Sequence, residues 1–122
     1  MPTIDFIKMN GLGNDFVVVD QTVNKVFQPQ RLAAVISDRN YGIGCDQMIL
    51  LETSGMADTK MSIYNRDGSK SNMCGNALRC VAKYLMEKND LKNVNIEING
   101  QIFTAKKHDN LIAVNIGLPK FS

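Results

Sequence analysis

The chain has 122 residues, enough for one domain with a respectable core. Its apolar and charged fractions are ordinary for a soluble globular protein, and its net charge of +2 is spread thinly, which argues against a nucleic-acid or membrane-surface role. No apolar run approaches the ~18 residues of a membrane span, no charged-then-apolar leader opens the sequence, and three cysteines without framework spacing fit a reducing cytoplasm.

In chain order, Thr3 to Lys8 reads as a strand, with Ile4 and Phe6 alternating with Asp5 and Lys8. Gly11-Leu12-Gly13-Asn14-Asp15 is a turn, followed by the β-branched strand Phe16 to Val19. This Gly-x-Gly is no dinucleotide fingerprint, because a strand follows it where a phosphate-binding turn must open a helix. Pro29 suits the first position of a helix running to about Asp38, with Leu32, Ala33 and Ile36 on one face; Asn40 to Gly44 ends it. Gln47 to Glu52 has the continuous apolar centre of a strand buried on both faces. Thr53 to Thr59 is a polar loop, and Lys60 to Asn65 alternates Met61 and Ile63 with Ser62 and Tyr64.

Asn65 to Asn72 is then a polar turn around Asp67-Gly68. From Ala77 the period changes: Leu78, Val81, Ala82 and Leu85 form the apolar stripe of a helix, Arg79, Lys83 and Glu87 the opposite stripe, and Asn89 the stop. Three strands follow as a meander. Val94 to Ile98 and Ile102 to Ala105 are joined by the hairpin signal Asn99-Gly100, and Leu111 to Ile116 returns after a turn at His108-Asp109-Asn110. The sum is an α+β domain: a mostly antiparallel sheet of seven or so short strands, wrapped around the second helix.

Cys74 stands at the entrance of that second helix, where the first backbone N–H groups have no intrahelical partner. The helix dipole there favours thiolate over thiol, and the N–H groups of Gly75 and Asn76 form a ready site for a carboxylate. From the residues alone Cys74 stands between two readings, a reactive thiol and a small core hydrophobe. Cys45 and Cys80, each inside an apolar-rich segment, read as core. Asn14 and Asn65 border strands, where they either aim an amide at a ligand or cap the backbone locally. Asp46 and Asp67 read as turn formers, His108 as a solvated turn residue, and the acidic residues do not converge as a metal site requires.

Met9-Asn10-Gly11-Leu12-Gly13-Asn14-Asp15-Phe16, Gly42-Ile43-Gly44-Cys45-Asp46-Gln47, and Asn65-x-Asp67-Gly68-Ser69 leading to Met73-Cys74-Gly75-Asn76 together resemble diaminopimelate epimerase, in that family's order and spacing. The resemblance spans the whole sequence and matches the N-terminal half of family members, which continue into a second, similarly folded domain. It implies a cofactor-independent epimerase that interconverts LL- and meso-2,6-diaminopimelate for lysine and peptidoglycan synthesis, using two cysteines on opposite faces of the α-carbon. Cys74 matches the first of these. Asn14, Gln47 and Asn65 match substrate-binding residues, and Gly75 and Asn76 match those that hold the α-carboxylate through backbone N–H groups.

The resemblance further implies a small-molecule substrate, a cytoplasmic location, a homodimer as is common in the family, and neither a metal nor a pyridoxal cofactor. The departures are Ala77 where the family has Gly, Asn10 where it often has His, and Cys45 where it has another residue; none removes a chemical group. Two alternatives share these residues: an epimerase or racemase of another amino acid, such as histidine or hydroxyproline, and a non-catalytic substrate-binding half-domain. With one cysteine of two, the isolated chain is expected to fold without epimerising.

Overall fold

The computed structural model describes residues 6–11, 13–21, 28–40, 42–71, 75–108 and 111–115. Among these, eight strands form one sheet: β1 (Phe6–Gly11), β2 (Asn14–Asp20), β3 (Gln47–Glu52), β4 (Thr59–Asn65), β5 (Lys70–Ser71), β6 (Asn93–Ile98), β7 (Gln101–His108) and β8 (Leu111–Asn115). Two helices accompany them, α1 (Pro29–Ser37) between β2 and β3, and α2 (Gly75–Asn89) between β5 and β6. The strand order is β1-β2-β3-β4-β6-β7-β8, with β5 pairing β4 beside that path.

The sheet is mixed. β2 runs parallel to β3 and β4 parallel to β6, while the other pairings are antiparallel. Both parallel pairs follow from the helices, since a strand that returns parallel to its neighbour needs a crossover segment. The crossover between β2 and β3 contains α1; that between β4 and β6 contains β5 and α2.

The layering explains the composition of the central strands. Phe16 to Val19, Met48 to Leu51 and Met61 to Tyr64 are buried at every position, because these strands have a core on each side. One core joins Phe16, Val18, Ile49, Leu51, Met61 and Ile63 to Ala77, Leu78, Val81, Ala82, Leu85 and Met86 of α2, and extends to Val94, Ile96, Ile98, Phe103 and Ala105. The other joins Val17, Val19, Met48, Leu50 and Tyr64 to Ala33 and Ile36 of α1. In β4 the residues that alternate with Met61 and Ile63 are covered as well: Tyr64 joins the second core, and Ser62 is 3 % and Tyr64 5 % exposed.

Helix α1 starts on Pro29, whose missing N–H is no loss in the first turn. Helix α2 begins at Gly75, three residues before Leu78 opens the apolar stripe, and ends past Asn89 through a left-handed Asp90 (φ 52°), with the Leu91 N–H reaching back to the Met86 carbonyl at 2.9 Å. That six-to-one bond is a Schellman closure, so the stop involves Asp90 as well as Asn89. The β6–β7 turn has φ of 51° at Asn99 and 80° at Gly100, the two positive angles a type I′ hairpin demands.

Other boundaries differ from the sequence reading. β1 extends to Gly11 and β2 starts at Asn14, so Gly11, Asn14 and Asp15, read from the sequence as turn residues, belong to strands. β5 was not anticipated, being two polar residues paired only at the end of β4. The start of the first strand at residues 3–5 and the turn residues Asp109 and Asn110 lie outside the described residues. No helix among the described residues is long and apolar enough to cross a membrane.

Candidate active site

Three of the residues singled out from the sequence meet at one end of the sheet. Asn14 opens β2, Gln47 opens β3, and Asn65 closes β4. The pairing sets Phe16 opposite Gln47 and Gln47 opposite Asn65, so the three lie at the same edge of adjacent strands. Strand residues alternate between faces. Asn14 therefore shares the face of Phe16 and Val18, Gln47 that of Ile49 and Leu51, and Asn65 that of Met61 and Ile63. All six of those apolar neighbours belong to the core around α2. The amides continue the buried stripe into half-buried positions at its polar end.

Gln47 Nε2 donates to Asn65 Oδ1 at 3.1 Å, and Asn65 Nδ2 donates to Ser69 Oγ at 3.1 Å. Each amide carries two donor hydrogens and a two-lone-pair oxygen, so these bonds fix both side chains and use only part of their capacity. The turn behind Asn65 is tightly organised. The Gly68 N–H donates to the Asn65 carbonyl (2.9 Å), the Asn65 N–H to the Ser69 carbonyl (2.8 Å), and the Ser69 N–H and Oγ to Asp67 Oδ1 (2.9 and 2.6 Å). Gly68 adopts φ 92°, and a Cβ there would come within 2.6 Å of the Gln30 carbonyl oxygen. A side chain would thus be strained in conformation and would also push the turn off α1.

This turn feeds β5, where Ser71 pairs with Ile63, two residues from Asn65. Gly75, the first residue of α2, is four residues further on and so within about 14 Å of Ser71 by chain reach alone. Gly75 and Asn76 are half-buried, and a Cβ built on Gly75 would meet nothing within 4 Å, so open space lies beside the helix entrance. The N–H groups of a helix's first turn lack intrahelical acceptors and favour an anion. Cys74 lies outside the described residues.

The other two cysteines differ from each other. Cys45 is fully buried, its Sγ 3.5 Å from Ser37 Oγ, as a core cysteine should be. Cys80 is only partly buried at the edge of the α2 stripe, and it lines a groove of about 260 Å³ with Met9, Asn10, Lys83, Tyr84 and Glu87. None of those six is a candidate site residue. Among the described residues no three His, Cys, Asp or Glu side chains converge as metal ligands.

Sequence reasoning missed a charged cluster beside the amides. Asp15, next to Asn14, accepts two bonds from the Arg39 guanidinium at 3.2 Å each, and Arg39 also reaches Asp46, next to Gln47, at 3.3 Å. Arg39 is the main reason the Asp15 carboxyl falls from its ordinary 3.8 to about 2; burial opposes the drop, and the Asp46 N–H adds to it. Because the folded value is the depressed one, Asp15 adds stability above about pH 4 and loses it as pH falls towards 2. Asp67, held down by its bonds from Ser69, acts in the same direction. The urea midpoint is expected to fall across that window, and less steeply in Asp15→Asn; an equal slope in the variant would contradict the assignment. Part of the signal was present in the sequence, since both aspartates stand inside the motifs, but their shared arginine lies in a loop that reads as ordinary helix termination.

The family model described as diaminopimelate epimerase matches residues 6–122. The chain belongs to the diaminopimelate epimerase family. It is 44 % identical over 122 residues to the diaminopimelate epimerase of Carboxydothermus hydrogenoformans, covering 95 % of this chain and 44 % of that protein. It is 43 % identical over 116 residues to that of Acidiphilium cryptum, covering 94 % and 42 %. Over 77 residues it is 58 % identical to that of Sphingopyxis alaskensis, covering 63 % and 29 %. The chain thus spans less than half the length of these epimerases.

Among solved structures it is similar in fold to a phenazine biosynthesis protein of the PhzF family from Bacillus anthracis, with a TM-score of 0.67, 20 % identity, and coverage of 87 % of this chain and 36 % of that one. A methylitaconate-delta-isomerase is similarly related, with a TM-score of 0.66, 15 % identity, and coverage of 89 % and 62 %. At these identities the likeness is one of fold.

Proposed function

We propose that this chain forms the first half of a cofactor-independent epimerase acting on LL- and meso-2,6-diaminopimelate, with Cys74 as one of its two proton-transfer groups. The observation that carries the reading is the gathering of Asn14, Gln47 and Asn65 at one edge of three adjacent strands, on the face that packs against α2. Family membership supplies the substrate class.

The chemistry asks for what these residues offer. Inversion at an α-carbon removes its proton from one face and delivers another to the opposite face of a planar intermediate. One thiolate takes the proton and becomes a thiol, the C–H electron pair passes into the substrate carboxylate, and a second thiol protonates the other face and becomes the thiolate. Thiols suit both roles because either form is reachable near neutral pH. N–H donors at Gly75 and Asn76 would hold the carboxylate where negative charge grows, stabilising the transition state more than the ground state. Asn14, Gln47 and Asn65 would bind the polar groups around the stereocentre, since an amide pairs with ammonium and carboxylate alike. The second cysteine would come from a C-terminal half-domain, and the working enzyme would be a cytoplasmic homodimer serving lysine and peptidoglycan synthesis.

Calorimetric titration of the chain with LL-diaminopimelate tests this, with histidine and 4-hydroxyproline as alternative ligands. Binding is expected to be selective for LL-diaminopimelate and to weaken about 10-fold or more in Gln47→Ala, the loss typical of a hydrogen bond to a charged group. Preference for another amino acid would reassign the substrate, and no effect of Gln47→Ala would overturn the site.

A further inference from the structure

The first residues of β2 and β3 are held together by charge. The Asp15 N–H donates to Asp46 Oδ2 at 2.9 Å, and the Asp46 N–H donates to Asp15 Oδ1 at 2.9 Å and to the Asp15 carbonyl at 3.0 Å. Each carboxylate thus holds the other residue's main chain, and both lie within 3.3 Å of one Arg39 nitrogen, a closeness that like-charge repulsion would oppose if the two anions stood alone. The Arg39 guanidinium offsets it: Nη1 donates to Asp15 Oδ2, and Nη2 is shared between Asp15 Oδ1 and Asp46 Oδ1. Lys8 adds a longer contact, 3.8 Å from Asp15 Oδ2.

An isolated exposed ion pair contributes little to stability. Here one planar fork serves two carboxylates that already clasp the backbone, a geometry an arginine meets and a lysine does not. The clasp is one peptide unit from Asn14 on one strand and one from Gln47 on the other. Little main-chain freedom is left between the charges and the two amides.

We propose that Arg39 is a positioning residue, which sets the spacing of Asn14 and Gln47 by neutralising the facing carboxylates of Asp15 and Asp46. Its consequence for ligand binding rests on the reading of these amides as substrate contacts; the clasp itself does not. Without Arg39 the carboxylates repel, the starts of β2 and β3 separate, and the two amides no longer converge on one ligand.

The test compares the ¹⁵N-labelled chain with Arg39→Gln, Arg39→Lys and the double variant Arg39→Gln/Asp46→Asn. In Arg39→Gln, LL-diaminopimelate affinity is expected to drop about 10-fold or more, as small misplacements do in preorganised sites. Arg39→Lys is expected to lie between it and the parent. Removing one of the two repelling charges in the double variant restores most of the affinity, a recovery that loss of packing would not give.

Without ligand, the side-chain amide cross-peaks of Asn14 and Gln47 shift in Arg39→Gln and return in the double variant, while the Asp15 carboxyl titrates well above its parent value. If the parent chain fails to bind LL-diaminopimelate, the substrate reading falls, and the ligand-free cross-peaks still decide the clasp. Unmoved cross-peaks in Arg39→Gln, or a double variant no better than the single, would overturn the proposal. The thermal midpoint of each variant, expected to fall in Arg39→Gln as the Asp15 ion pair is lost while the chain stays folded at the assay temperature, separates misplacement from unfolding.

Discussion

Iodoacetamide at neutral pH is expected to alkylate Cys74 about ten times faster than Cys80 or more, and to leave Cys45 unmodified until the chain unfolds. Cys45 has 0 % of its surface exposed and sits against Ser37 in the α1 core, so reagent reaches it only through opening of the fold. Cys80 is reachable from the groove beside β1, but it lies inside α2, away from the terminus where the dipole acts. Cys74 directly precedes Gly75, the first residue of the helix, and lowering a thiol's pKa by the first unit from its ordinary ~8.5 raises its thiolate fraction nearly tenfold at neutral pH. LL-diaminopimelate should slow labelling of Cys74 alone. Peptide mass spectrometry after timed quenching reads all three sites, and equal rates at Cys74 and Cys80 would remove the case for an activated thiol.

Leu78→Ala is expected to destabilise the fold by about 3 kcal/mol, the usual loss when a fully buried leucine is cut back in a core that only partly closes around the gap. Leu78 is 0 % exposed and belongs to the core that unites α2 with strands from β2 to β7. Folded domains have only ~5–15 kcal/mol in total, so a large part of the stability would go. Lys83→Ala, on the exposed face of the same helix, should stay within about 0.5 kcal/mol. Urea unfolding followed by far-ultraviolet circular dichroism measures both. Similar losses for the two would mean that the face of α2 presented to the sheet is misassigned.

The parts of this fold that were legible beforehand are those with short-range causes. Pro29 announced α1, Asn99-Gly100 announced the β6–β7 hairpin, and the apolar run Met48 to Leu51 announced a strand covered on both sides. In each, the residues that dictate the structure are neighbours in sequence. What escaped the reading depends on partners far along the chain. The burial of Ser62 and Tyr64 on the second face of β4 needs α1 laid over that strand. Two-residue β5 exists only because the turn at Gly68 folds it back on β4. The parallel pairing of β4 with β6 requires knowing where α2 lies.

The candidate site divides the same way. Asn14, Gln47 and Asn65 could be named from motifs, but their convergence at one sheet edge is a product of register. Arg39 was invisible, since a charged residue after a helix looks like any solvated stop. Only the closed β2–β3 pair brings Asp15 and Asp46, 31 positions apart, within reach of one guanidinium.

The proposed amino-acid site is formed jointly by three strand ends and the entrance of α2. The most direct test is titration of the ¹⁵N-labelled chain with LL-diaminopimelate, followed by two-dimensional NMR. The side-chain amides of Asn14, Gln47 and Asn65 and the backbone amides of Gly75 and Asn76 are predicted to shift together along one saturable curve. Saturable shifts at Met9, Cys80 and Tyr84 with those five unmoved would place the ligand in the groove beside β1 and contradict the account.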